Sequence, residues 1–268
     1  MNSPIVHDHE RLAMITHSPI AIHLEDISVR YRKPEVEIRS FKEFTIQYFQ
    51  RRIRMQDFWA LRNINLDIYR GETFGVIGRN GAGKTTLLKV ISRVIAPTKG
   101  RMIVEGEVAP LLECGAGFQA EMTGRENILL YGSLLGHSHQ QIKEHIPEIL
   151  DFAQLDGFID APLRMYSSGM IARLGFAVAT SWKPQILILD EILAVGDEAF
   201  KKKCKARIDG FRAEGATILL VTHDMDLILK KCDRAALLEG GSIVDQGDVH
   251  QVVKRYRSVI ELSETTQR

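Results

Sequence analysis

The sequence predicts an α/β fold built on a mainly parallel β-sheet, with an inserted helical lobe. Three observations carry that expectation. Short apolar runs such as "TFGVI", "QILILD" and "ATILLVT" are each followed by a helix-patterned segment, the alternation that makes a parallel sheet. A glycine-rich turn, "GRNGAGKTT", sits between one such strand and a helix. Residues from Glu121 to about Ser181 are largely helical by pattern, which predicts a helical subdomain over about 119–181.

Residues 1 to about 19 are polar, contain two prolines and are expected to form a flexible tail. "IAIHLEDISVRY" alternates apolar and polar residues as a strand does. An inserted segment is expected at 32–59, where Phe41, Phe44, Tyr48 and Phe49 fall at helical spacing ahead of Arg51, Arg52 and Arg54. Two readings of it stand: an amphipathic helix on its own sheet, or a contact with a membrane surface or substrate.

"LRNINLDIYRGETFGVIG" reads as a strand, a turn at Arg70-Gly71 and a buried strand, and "KTTLLKVISRVI" as the next helix. "RMIVEGEV" reads as one further strand. Thr123 and Glu126 stand at capping-box spacing where "TGRENILLYGSLLG" opens. "RAALLEGGSIVDQG" predicts a hairpin turning at Gly240-Gly241. The main domain is expected over 20–255, with a short polar tail over 256–268.

The 268 residues are 45% hydrophobic and 26% charged, an ordinary globular mixture. Lys and Arg number 35 against 34 Asp and Glu, so global charge favours no nucleic acid or other polyanion. Cys114, Cys204 and Cys232 form no CxxC pair, which fits a reducing compartment and excludes a disulfide framework. The N-terminus lacks the basic-then-apolar pattern of a signal peptide. No apolar run approaches the roughly 20 residues that span a bilayer, so a soluble or peripheral protein is expected.

The turn from Gly78 to Thr86 matches G-x-x-x-x-G-K-[ST] in its required strand–loop–helix context. Gly78, Asn80, Gly81, Ala82 and Gly83 would turn backbone N–H groups around phosphate oxygens, at the positive end of the following helix. Lys84 would reach the β and γ phosphates, Thr85 would ligate Mg²⁺, and Thr86, next after the motif, is expected among the nucleotide-binding residues. The pattern predicts a nucleoside-triphosphate site. Asp190 and Glu191 close the strand "QILILD" at its carboxyl end, where open parallel sheets bind ligands. There Asp190 can hold Mg²⁺ through water, and Glu191 can polarise a water for attack on the γ phosphate. His223 ends "ILLVTH", at the same edge of the sheet, as a γ-phosphate contact or a structural histidine.

The ordered set "GRNGAGKT", "GAGFQ", "YSSGM", "ILILDE", "AVGD" and "VTHD", spread over roughly residues 20–250, resembles the ATPase subunit of ABC transporters. The resemblance implies an ABC-type nucleotide-binding domain with an antiparallel β part, binding ATP and Mg²⁺. It makes Ser167, Ser168 and Gly169 the signature turn that faces the γ phosphate held by a second copy, and Asp197 an acid across that dimer interface. Gln119 becomes the glutamine linking the Mg²⁺ site to the helical lobe and the membrane partner. It also makes Tyr31 the aromatic that stacks on adenine, with Phe58 or Trp59 as alternatives. The turn departs from the family's LSGGQ at Tyr166, Ser168 and Met170.

"GAGFQAEMTGRENI" with "YSSGMIARLGFAVA" looks most like the bacterial subgroup that exports lipid-linked polysaccharides such as O antigen, capsule, teichoic acid or galactan. That implies a homodimer working with two integral-membrane permease subunits, at the cytoplasmic face of the inner membrane. The chain is expected to be too short for the carbohydrate-binding domain that many O-antigen exporters add. The competing expectations are an exporter of a different cargo, a lipid or drug, and a non-transport ABC ATPase acting on DNA or ribosomes. The latter usually has fused units or long coiled coils, and neither appears here.

Overall fold

A computed structural model of the chain describes residues 18–34, 55–111, 115–155, 157–190 and 197–265. The N-terminal tail, the aromatic and arginine cluster of the insertion, Cys114 and Glu191 lie outside the described residues.

Strands β3 (Thr73–Ile77), β6 (Ile186–Asp190) and β7 (Thr217–Val221) are apolar almost without interruption because both faces of the sheet are covered. With β5 (Val108–Leu111), β8 (Arg234–Glu239) and β9 (Ser242–Asp248) they form a six-stranded sheet in the order β5-β6-β7-β3-β8-β9. All neighbours are parallel except β8 and β9, which form a hairpin. A second, antiparallel sheet of three strands runs β2-β1-β4, with β1 Ile20–Pro34, β2 Met55–Tyr69 and β4 Lys99–Val104.

Period-two alternation sends side chains of the parallel sheet to two cores. Phe74, Val76, Ile186, Ile188, Leu219 and Val221 pack toward the antiparallel sheet. Between the sheets lies α1 (Lys84–Ile91), whose Leu87, Leu88, Val90 and Ile91 are fully buried. At roughly 1.5–3 kcal/mol for each such side chain, this anchors the helix that follows the glycine loop. Leu187, Leu189, Ile218 and Leu220 face the other core, shared with the helical lobe. That lobe holds α2 (Gly124–Leu134), α3 (His139–Ala153) and α4 (Ser168–Ala179). Thr123 and Glu126 close a capping box at α2, and Ser138 and Gln141 close another at α3. Helices α5 (Glu198–Ala213), α6 (Met225–Lys231) and α7 (Val249–Thr265) complete the fold. Among the described residues no helix is long and apolar enough to cross a membrane.

Three sequence expectations are corrected. "RMIVEGEV" is not one strand: "RMIV" ends β4 in the antiparallel sheet, the chain turns through Gly106, and Val108 is the first residue of β5 in the parallel sheet. The expected insertion at 32–59 shortens, because β1 and β2 pair through Arg32↔Asp57, Lys33↔Gln56 and Pro34↔Met55. Residues 256–265 belong to α7 rather than to a polar tail, since Val249, Val252, Val253 and Tyr256 are buried at helical spacing among exposed charges.

Candidate active site

The glycine loop leaves β3 at the carboxyl edge of the sheet. Gly83 caps α1 with φ of 108°, a left-handed conformation, and makes no side-chain cap bond. A Cβ there would lie 2.7 Å from the Ala60 carbonyl oxygen, so only glycine fits. The first amides of α1 therefore receive no side-chain cap from the Gly83 position, and uncapped amides at a helix N-terminus are suited to anions. Lys84 is buried, and its Nζ donates to the carbonyls of Gly78 (2.6 Å) and Arg79 (3.1 Å), which sets the ammonium inside the loop.

Residues distant in sequence converge around this loop. One cleft of about 380 Å³ is lined by Tyr31, Phe58, Asn80, Gly81, Gly83, Lys84, Thr85, Thr86, Asp190 and His223, with Ala60 and Val221. Strand order explains the meeting: β7 separates β3 from β6, and Asp190 pairs in register with Val221, so Asp190 and His223 end beside the loop. His223 sits in a hydrogen-bonded turn. Thr222 Oγ1 accepts from the Asp224 N–H (3.1 Å), and Asp224 caps α6 through the N–H groups of Asp226 and Leu227, both at 3.0 Å.

Tyr31 and Phe58 are cross-strand partners, 41% and 49% exposed, at one end of the cleft. Phe58 and Ala60 face the cleft, so the intervening Trp59 points to the opposite face of β2. There it lies under the Arg30 guanidinium (5.7 Å) and the Lys99 ammonium (5.6 Å). Trp59, offered as an alternative to Tyr31, does not line the cleft.

Ser167, Ser168, Gly169, Gln119 and Asp197 do not line this cleft. Ser167 caps α4, its Oγ accepting from the Met170 N–H (3.2 Å), and Ser167 and Ser168 are exposed. Tyr166, where the family motif has Leu, is buried and donates its hydroxyl to the Phe158 carbonyl (2.6 Å). Burial, foremost, raises that phenol above its ordinary pKa. Farther along α4, Arg173 pairs with Asp197 and lies 5.2 Å from the Phe200 ring centroid. Asp197 caps α5 by accepting from the Phe200 N–H, which foremost holds its carboxyl below the usual range.

Two supports of the site escaped the sequence reading. Gly241, read only as a hairpin turn, donates its N–H to the Ala82 carbonyl (3.0 Å), and its own carbonyl accepts from Arg62 N–H (2.8 Å). The glycine pair was the available signal, but nothing local says what it lies under. Asn127 is fully buried and binds the backbone of Gln119, with no sequence signal beyond its place in a helical run.

A family model described as ABC transporter matches residues 61–194, half of the chain. The chain belongs to the ABC transporter family. It is 44% identical over 249 residues to the O-antigen export system ATP-binding protein RfbB of Myxococcus xanthus, a match covering 91% of this chain and 57% of that protein. RfbB of Klebsiella pneumoniae is 42% identical over 208 residues, covering 78% of this chain and 85% of that protein. The chain thus spans little more than half the length of the first relative. Among solved structures, the dimeric post-hydrolysis state of the ATP-binding cassette MJ0796, bound to ADP and Pi, superposes with a TM-score of 0.65 at 20% identity. That match covers 85% of this chain and 98% of the cassette, and it shows the fold of an ABC nucleotide-binding domain.

Proposed function

We propose that this chain is the ATP-binding and ATP-hydrolysing subunit of an ABC exporter of a lipid-linked polysaccharide of the O-antigen kind. The carrying observation is the single cleft that gathers the glycine loop, Asp190, His223 and an aromatic pair. The export-system names of relatives above 40% identity support the cargo class. The exposed Ser167 and Ser168, outside the cleft of their own chain, favour a homodimer in which each signature turn closes the partner's site. Two permease subunits would complete the exporter at the cytoplasmic face of the inner membrane.

Each residue then has a task. Loop amides and Lys84 hold the β and γ phosphates, and Tyr31 or Phe58 stacks on adenine. The Thr85 hydroxyl and Asp190 carboxylate line the same cleft and are hard oxygen donors of the kind Mg²⁺ takes, so the residues fit that ion. When bound, it would neutralise charge on the phosphate oxygens. Glu191, next to Asp190 in sequence, takes the proton from the attacking water, and His223 donates to the γ phosphate. Gln119 links the Mg²⁺ site to the helical lobe, and Asp197 lies toward the partner.

The test is Glu191→Gln in the full chain. Expected are near-normal ATP binding, turnover reduced at least a hundredfold, and a dimer that accumulates with ATP by size-exclusion chromatography. Retained hydrolysis would remove Glu191 from the base role. For the cargo, ATPase activity of the chain reconstituted with its permease should rise with a lipid-linked glycan and stay flat with lipids or drugs.

A further inference from the structure

We infer that Asn127 is a positioning residue for Gln119, fixing the backbone from which that side chain reaches the phosphate site. The inference rests on the reading of Gln119 proposed above. Asn127 lies in α2 with no exposed surface, where a polar side chain is costly unless it is hydrogen-bonded. Its carboxamide is saturated. Oδ1 accepts from the Gln119 N–H at 2.7 Å. Nδ2 donates to the carbonyls of Gln119 (3.0 Å), Met122 (3.1 Å) and Thr123 (2.9 Å), so three acceptors share two hydrogens. One side chain thus holds both backbone groups of Gln119 and the far end of the same turn.

The other side of the segment is tied to the chain that enters the signature turn. Ala120 accepts from Arg164 N–H and Met122 from Leu163 N–H, both at 2.9 Å, and Arg164 pairs with Glu121 at 2.8 Å. Residues 119–123 therefore form a strut between α2 and the approach to Ser167. The Gln119 side chain itself is exposed, and among the described residues its Nε2 lies 3.5 Å from the Gly117 carbonyl oxygen. Its backbone is fixed while its amide stays available, and the fixing group is Asn127. Loss of the clamp would displace the reacting geometry while the loop that binds ATP, built on other elements, stays intact.

The experiment measures Mg-dependent ATP hydrolysis and ATP binding for the full-length Asn127→Ala, Gln119→Ala and combined variants. Asn127→Ala should lower kcat at least tenfold with KM within twofold, and it should add nothing in the Gln119→Ala background. Unchanged kcat, or kcat and KM changing together, overturns the inference. Lowered turnover in Gln119→Ala that multiplies with the Asn127 effect overturns the inference alone. Undiminished turnover in Gln119→Ala overturns the reading of Gln119 and the inference with it. Should Asn127→Ala fail to fold, Asn127→Asp supplies the same comparison, since it keeps the acceptor for the Gln119 N–H and loses the donors. Its kcat should fall in the wild-type background and not further in Gln119→Ala.

Discussion

Tyr31 and Phe58 face the cleft while Trp59, one residue along, turns its ring to two cations on the other side of the strand. That single alternation separates three aromatics that composition alone treats as equivalent. Stacking of a base on an aromatic ring contributes roughly 1–3 kcal/mol. Tyr31→Ala or Phe58→Ala, whichever removes the stacking ring, should therefore weaken ATP binding about tenfold by isothermal titration calorimetry. Trp59→Ala should leave the affinity within twofold. A loss in Trp59→Ala equal to the larger of the other two would contradict the placement of the adenine end. Lys84 illustrates the same scale from the other side: its two bonds to loop carbonyls hold the ammonium within the glycine loop.

At the scale of elements, the hairpin β8–β9 supports the glycine loop from below. Gly241 adopts φ of 84°, and a Cβ there would stand 2.7 Å from the Ala60 carbonyl oxygen. Gly241→Ala incurs left-handed strain of about 1–2 kcal/mol, and at roughly 2–4 °C for each kcal/mol in a domain of this size the melting temperature should fall by several degrees. Because Gly241 also binds the Ala82 carbonyl, ATP affinity should fall severalfold, read as a smaller ATP-induced rise in melting temperature. A lowered melting temperature with an undiminished ATP response would show that the hairpin does not shape the loop. The parallel strands were legible in the sequence because burial on both faces makes them continuous apolar runs. The glycine loop and Asp190 were legible because phosphate chemistry constrains short contiguous motifs. What could not be read was set by tertiary contact. The alternation of "RMIVEGEV" gives no hint that β4 ends at Val104 and that the chain crosses to the other sheet, where β5 starts at Val108. The apolar stripe of α7 is diluted by charges, and Asn127 looks like any polar helical residue until its burial is seen.

At the scale of the whole molecule, the two sheets are joined on one side by a buried ion pair. Glu72, fully buried, meets Arg234 at 3.2 Å and accepts from the Tyr69 N–H at 2.7 Å. Arg234 also donates to the Asp67 carbonyl and lies near the rings of Tyr69 and Phe74, so it ties β2, β3 and β8 together. Burial outweighs the guanidinium and pushes the Glu72 carboxyl from 4.5 up to about 7. The folded protein therefore binds one more proton than the unfolded chain between those values, and stability falls as pH rises through that window. Below pH 4.5 both states hold the proton, and above pH 7 neither does, so the slope from this group vanishes at both ends. At 1.36 kcal/mol for each pKa unit the full change is on the order of 3 kcal/mol. Glu72→Gln removes the titration while keeping the shape. Urea unfolding of both proteins from pH 5 to pH 8 should show the wild type losing stability relative to the variant up to pH 7 and then running parallel to it. Parallel curves across the whole range would mean that the Arg234 pairing keeps Glu72 ionised throughout. The joint between the sheets would then be a charged pair at every pH tested.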